Sequence, residues 1–268
     1  MSSRQNTTTP VMGQREPMSD PAIVVEDLRV TFGTRDILKG ISFEVPKGTA
    51  LVIMGLSGTG KSTTLRSING LLRPTSGKVM VNNQSIPDLS KRALNQLRKR
   101  IGTCFQHGAL FDSMTVADNV AFGLREHTKL PEEEIQRIVA EKLAIVDLEG
   151  MGHLYPSQLS GGMQKRASFA RTIATDPDVV LYDEPTTGLD PIISRVINEL
   201  ILDLQRRLHA TSVVITHDLS GAMLVANQIL MIHEGKAAFF GTPQEFQSTD
   251  NPIVVQFREG NVEGPIRV

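Results

Sequence analysis

The apolar run TALVIM ends at Met54 and passes without a break into GLSGTGKST, Gly55 to Thr63, which opens the helix-like stretch KSTTLRSINGLL with a stop signal at Gly70. This succession of buried strand, glycine loop and helix admits few folds. Glycine reaches backbone dihedrals closed to other residues, so Gly55, Gly58 and Gly60 let the chain turn tightly and bring its own N–H groups around an anion. The pattern G-x-x-x-x-G-K-S is complete. Lys61 is spaced to reach the β- and γ-phosphates of a nucleotide, and the Ser62 hydroxyl to ligate Mg2+.

The rest of the chain supplies the layers such a loop requires. AIVVEDLRVTF, ISFEV, KVMVN, DVVLYDE, TSVVITHD and QILMIHEGKAAFFG are further short apolar runs, several of them continuous, as in parallel strands covered on both faces. Helical patterns lie between them. GMQKRASFARTIATDP places Met163, Ala167, Ala170 and Ala174 on one face, with Lys165, Arg166 and Arg171 off it. PEEEIQRIVAEKLAIVDL offers Ile135, Ile138, Val139 and Leu143 for burial behind Pro131 and acids that suit a helix start. The alternation predicts an α/β core. From about residue 107 to 158 it is interrupted by a stretch without a convincing strand run, which reads as a helical insertion. The basic run KRALNQLRKR reads as a solvated helix face with Leu94 and Leu97 buried. Residues 1–21, rich in Ser, Thr, Pro and Gln, read as a flexible tail.

Composition narrows the setting. The 268 residues are 40% apolar with a formal net charge of -1, so no global field draws nucleic acid or anionic lipid. One cysteine, Cys104, forms no internal disulfide and fits a reducing compartment. No apolar run approaches the roughly 18 residues of a membrane helix, and the N-terminal segment lacks the apolar stretch of a signal peptide. A cytoplasmic chain that neither crosses a membrane nor is exported by that route is the expectation.

Four more features sit at the carboxyl ends of buried runs, at the start of the insertion or at a helix start. VVLYDEP ends in Asp183 and Glu184, which point differently at a strand end. One can hold hydrated Mg2+ while the other orients and deprotonates water. SVVITHD delivers His217 to the same side, where open parallel sheets bind ligands. Gln106 carries no signal by itself, but its place at the start of the insertion joins the site to whatever that region touches. Ser160, Gly161 and Gly162 in QLSGGMQKR form a second anion cradle at a helix start, yet lack the Lys-Ser pair. Such a turn finishes a phosphate site without building one. Two copies packed head to tail would let each turn close the other copy's ATP.

GLSGTGKST, Gln106, LSGGMQ, VVLYDE, TGLD and His217 resemble, in order, the Walker A, Q-loop, signature, Walker B, D-loop and H-loop elements of ABC ATPases. The resemblance covers about residues 22–240. It implies a P-loop NTPase, RecA-like core, a small antiparallel β subdomain, a helical subdomain inserted at about 107–175, and a C-terminal extension over 241–268. It also implies an Mg2+-dependent ATPase. Phe32 would stack on adenine, where the family more often has Tyr. Gly55, Ser57, Gly58, Thr59, Gly60, Lys61, Ser62 and Thr63 would bind the nucleotide. Ser62, Gln106 and Asp183 would serve the metal and Glu184 would be the general base. Gln106, Lys61 and His217 would assist catalysis, His217 at the γ-phosphate. Ser160, Gly161, Gly162 and Asp190 would act across a dimer.

FQHGALFDSMTVADNVAFGLREHTKLPEEEI and NPIVVQFREGNVEGPI further resemble the ATPases of Mla and other Mce-type lipid transporters. That resemblance implies a motor subunit moving phospholipids at the cytoplasmic face of the inner membrane. Its partners would be a second copy of itself, integral-membrane permease subunits and an Mce-domain lipid-binding protein. Nucleic acid is not expected as a partner. The alternatives are the ATPase of an importer for a polar small molecule and, from another class, a soluble switch on nucleic acid. For the C-terminal segment, a dimer clasp and simple disorder are both open.

Overall fold

The computed structural model describes residues 21–106 and 108–267, so the tail expected over residues 1–21 lies, apart from Pro21, outside the described residues. In chain order the elements are β1 (Pro21–Phe32), β2 (Arg35–Pro46), β3 (Ala50–Met54), α1 (Lys61–Ile68), β4 (Ser76–Val81), β5 (Gln84–Ser85), α2 (Lys91–Arg98) and β6 (Ile101–Cys104). The insertion follows with α3 (Val116–His127), α4 (Glu132–Ile145) and α5 (Gly161–Ile173). The chain then runs through β7 (Val179–Asp183), α6 (Pro191–Leu208), β8 (Thr211–Ile215), α7 (Leu219–Val225), β9 (Gln228–His233), β10 (Lys236–Gly241), α8 (Pro243–Ser248) and α9 (Pro252–Glu259).

β3 is buried along its whole length because it is the interior strand of a six-stranded sheet ordered β10-β9-β3-β8-β7-β6. Its neighbours β8 and β9 run parallel to it, β6 pairs parallel with β7, and only β10 is antiparallel. Side chains alternate across a strand. Ala50, Val52 and Met54 therefore enter one core, shared with the helices, while Leu51 and Ile53 enter a second one. That second core fills the gap to a four-stranded antiparallel sheet ordered β2-β1-β4-β5. A strand with cores on both faces reads as an unbroken apolar run.

Several elements differ from expectation. β6 was not foreseen, because its four residues bury only Ile101 and Cys104. Gly102 belongs there for lack of room: a Cβ would lie 2.7 Å from the Thr172 methyl. ISFEV is only the end of the longer β2. Leu97 is buried as expected, whereas Leu94 is partly covered. On α5 the residues off the apolar face do not all meet solvent: Lys165 is buried, and the segment that follows β6 packs on that side. The C-terminal residues 241–267 are packed rather than disordered, with Phe246, Val254 and Ile266 buried. Among the described residues, 108–158 contain helices and no strand.

Candidate functional site

The glycine loop links β3 to α1, and each glycine has a reason. Gly55 takes φ +141°, where a Cβ would fall 2.2 Å from the Ile232 carbonyl oxygen; at Gly60, φ +108°, it would fall 2.4 Å from Leu38. Gly58 has open space but a φ of +77°. Thr59 turns its hydroxyl back to donate to the Leu56 carbonyl at 2.9 Å. Lys61 is the first residue of α1, and its ammonium donates to the Gly55 and Leu56 carbonyls, both at 2.9 Å. Burial pulls its pKa down, while the Glu184 and Asp183 carboxylates oppose that. The lysine thus closes the loop on itself, its charge held by two carbonyls that phosphate oxygens can replace.

β7 brings its acids to the same end of the sheet. Ser62 donates to Asp183 at 3.2 Å, joining the loop to the strand. Burial raises the Asp183 pKa, against the Ser62 hydrogen bond. Glu184 leaves the strand in the left-handed region at φ +51°, a conformation costing an L-residue about 1–2 kcal/mol. Its N–H donates to the Ile215 carbonyl at 3.0 Å, and its carboxylate accepts from Thr187 at 3.1 Å and lies 2.7 Å from His217 Nδ1. The His217 side chain is 63% exposed and that of Glu184 only 14%. A carboxylate is therefore presented by a strained backbone and gripped from two sides.

The second turn lies apart from this group. Ser160 caps α5 by accepting from the Met163 N–H at 3.3 Å, and the exposed Ser160 and Gly161 begin its first turn. Gly162 packs so closely on α6 that a Cβ would lie 2.9 Å from Ile193. Asp190 caps α6, accepting from the Ile192 and Ile193 N–H groups at 3.0 Å. The turn and Asp190 are thus fastened together by α6, with their polar groups facing solvent. Gln106 follows β6, and its carbonyl accepts from the Lys165 ammonium. Ser168 and Arg171 donate to the Gly108 carbonyl at 2.9 and 3.2 Å, and Arg171 also donates to Ala109 at 2.5 Å.

One cavity of about 1030 Å³ gathers the first group. Phe32, Gly55, Ser57, Gly58, Gly60, Lys61, Ser62, Thr63, Gln106, Glu184 and His217 line it. Thr59 and Asp183 do not reach it directly, and Ser160, Gly161, Gly162 and Asp190 lie outside it. Phe32, 53% exposed, ends β1 at the cavity's edge.

Comparison with known proteins bears on this arrangement. Residues 38–187, more than half the chain, match the family described as ABC transporter. The chain belongs to that family. MlaF of Haemophilus influenzae, named an intermembrane phospholipid transport system ATP-binding protein, is 44% identical over 250 residues, 93% of this cassette and 95% of its own length. The probable ribonucleotide transport ATP-binding protein mkl of Mycobacterium leprae is 41% identical, covering 94% of this cassette and 72% of mkl. A solved dimer of the ATP-binding cassette MJ0796, in a post-hydrolysis state bound to ADP and Pi, matches with a TM-score of 0.76 at 30% identity, over 82% of this chain and 98% of its own. The α/β fold is that of a P-loop NTPase, and the activity of the cassette is ATP hydrolysis.

Some features of the cassette escaped the sequence. Arg35 lines the cavity without belonging to any quoted motif, and Thr187, the first residue of TGLD, lines it without having been singled out. The Glu184–His217 contact joins ends of two strands 33 positions apart. A third surprise is that α9 and the residues after it line the same cavity; no spacing rule relates them to the glycine loop.

Proposed function

We propose that this cassette is the ATP-hydrolysing motor of a membrane transporter that moves phospholipids, working as a head-to-tail pair of copies under permease subunits. The proposed division is an ATPase domain over 22–240, with the helical subdomain inserted at about 107–175, and an extension over 241–268. The observation that carries the cargo is the 44% identity to MlaF across nearly the full length of both chains. Among the described residues no helix is long and apolar enough to cross a membrane. A transporter therefore takes its spanning segments from elsewhere, and the cytoplasmic face of the inner membrane is the proposed place of work, with an Mce-domain protein as lipid-binding partner.

In this reading the glycine loop and Lys61 hold the triphosphate, exchanging the two carbonyls now on the ammonium for phosphate oxygens. The residues fit Mg2+, a hard cation that favours oxygen ligands and keeps several waters. Ser62 and Asp183 already place hard oxygens 3.2 Å apart beside the loop, and Gln106 adds an amide at its edge. When bound, Mg2+ neutralises charge on the transferring phosphoryl group. Glu184 orients the attacking water and takes its proton; Thr187 and His217 fix the carboxylate for that task. Ser160, Gly161, Gly162 and Asp190, unused in their own protomer's cavity, complete the partner's site. Closure on ATP and release after hydrolysis give the two states that a permease can follow.

The mkl relative attaches a ribonucleotide cargo to nearly the same identity, so the deciding experiment is made on the complex. Affinity capture from detergent-solubilised membranes should recover permease subunits with phospholipid, and added phospholipid should stimulate ATP turnover. Recovery without phospholipid, with turnover responding to ribonucleotide instead, would overturn the lipid assignment.

A further inference from the structure

The segment after β10 is a built strap, not a trailing end. Asn251 donates its side-chain N–H to the Ala238 carbonyl at 2.9 Å, tying the start of α9 to β10. Arg258 donates to the Phe246 and Gln247 carbonyls at 3.0 and 2.5 Å, tying its end to α8. α9 stops at Gly260, φ +69°, and the chain doubles back. One buried side chain staples the loop: Gln256 accepts from the Ile266 N–H at 2.7 Å, and its amide donates to the Ile266 carbonyl at 3.0 Å and the Asn261 carbonyl at 3.2 Å. Gly264 is forced by this staple, since a Cβ there would lie 2.3 Å from Gln256 Oε1. Val254 and Ile266 are buried beneath.

Phe257, Gly260 and Asn261 of this strap line the cavity that also contains the glycine loop and Phe32. Its chemistry fits one end of a nucleotide. Among the strap residues that line the cavity are the acid Glu259 and a single cation, Arg258, whose guanidinium is committed to α8, so this lining is poorly suited to a triphosphate. An uncharged base and ribose suit it: Phe257 supplies an aromatic ring, and Asn261 an amide whose nitrogen is fixed by Glu259 at 2.8 Å. The phosphate end is already set by Lys61 and Ser62.

We propose that residues 252–267 are part of the nucleotide site, forming the wall that meets the base and ribose of ATP. The proposal rests on the ATP reading of the glycine loop. It is tested by calorimetric titration of ATP and of inorganic tripolyphosphate into the full chain, a chain ending at Glu259, and the exposed-position variant Asn261→Ala. Truncation should weaken ATP binding by about tenfold, the worth of one good contact, and leave tripolyphosphate unchanged. Asn261→Ala should weaken ATP in the same direction by a smaller factor with no change in Tm. ATP affinity unaltered in both variants, or ATP and tripolyphosphate falling together, would overturn the strap's role. A full chain that binds neither ligand would overturn the nucleotide reading itself, a separate outcome.

Discussion

Glu184 combines a left-handed backbone, a half-hidden carboxylate and two polar partners. Backbone strain of this kind persists where the surroundings over-determine it, and it clusters at functional sites. Glu184→Gln keeps the shape and removes the proton acceptor, so turnover should fall by roughly 10²–10⁴-fold while ATP is retained. Size-exclusion with ATP should show a trapped dimer. Unchanged hydrolysis would remove Glu184 from the role of base. Asp183 makes a different prediction. Burial raises its folded pKa above the unfolded value, so the folded chain gains from protonation. That gain is complete below the unfolded pKa and disappears as pH rises through the folded one. At neutral pH the ionised group is a cost, and Asp183→Asn should raise the Tm of nucleotide-free protein in chelator while abolishing Mg2+-dependent turnover. The glycine loop was legible in the sequence because its spacing is a local backbone requirement. Arg35 and the contacts of Glu184 with Thr187 and His217 were not, because only the folded chain brings those groups together.

α5 runs from the exposed Ser160 turn to a face that grips the segment after β6. Lys165, Ser168 and Arg171 hold the carbonyls of Gln106, Gly108 and Ala109, and Gly108 and Ala109 both take positive φ, at +72° and +50°. Burial lowers the pKa of Lys165 and of Arg171, and carbonyls rather than carboxylates receive their N–H groups. Lys165 thereby links α5 directly to the backbone of Gln106 at the cavity. Lys165→Met, which keeps the apolar stem, should lower kcat by about tenfold with KM for ATP changed less than about twofold. A loss confined to KM would show that Lys165 serves nucleotide binding instead. The helical period had set Lys165 and Arg171 apart from an apolar face on which Ala167, Ala170 and Ala174 are indeed buried. Periodicity identifies which residues share a face, but not that a loop of backbone carbonyls covers the other one. β6 was missed for a related reason: it is defined by pairing with β7, and only two of its four side chains, Ile101 and Cys104, are buried to give an apolar signal.

At the scale of the molecule, two sheets and an inserted helical layer gather one group of polar residues in the cavity and leave a second group on the outer surface, and we propose that the two are halves of one site. The cavity holds the glycine loop, Glu184 and His217, while Ser160 and Asp190 face away from it, each already satisfied as a helix cap. Continuous apolar runs made the parallel core legible, and the order of motifs picked out most of the residues that line the cavity. The packed strap beside the cavity was not, since its course depends on Gln256 reaching Ile266 across a turn. Incompleteness of the single protomer is the central claim. Lys61→Ala and Ser160→Arg should each inactivate a homodimer, by damaging opposite halves of the proposed interface. A mixed dimer keeps one intact pair, Lys61 from one copy and Ser160 from the other. Mixing the two inactive proteins and measuring ATP hydrolysis should therefore restore about a quarter of wild-type turnover by random pairing. No activity above that of either variant alone would contradict a site shared between two copies.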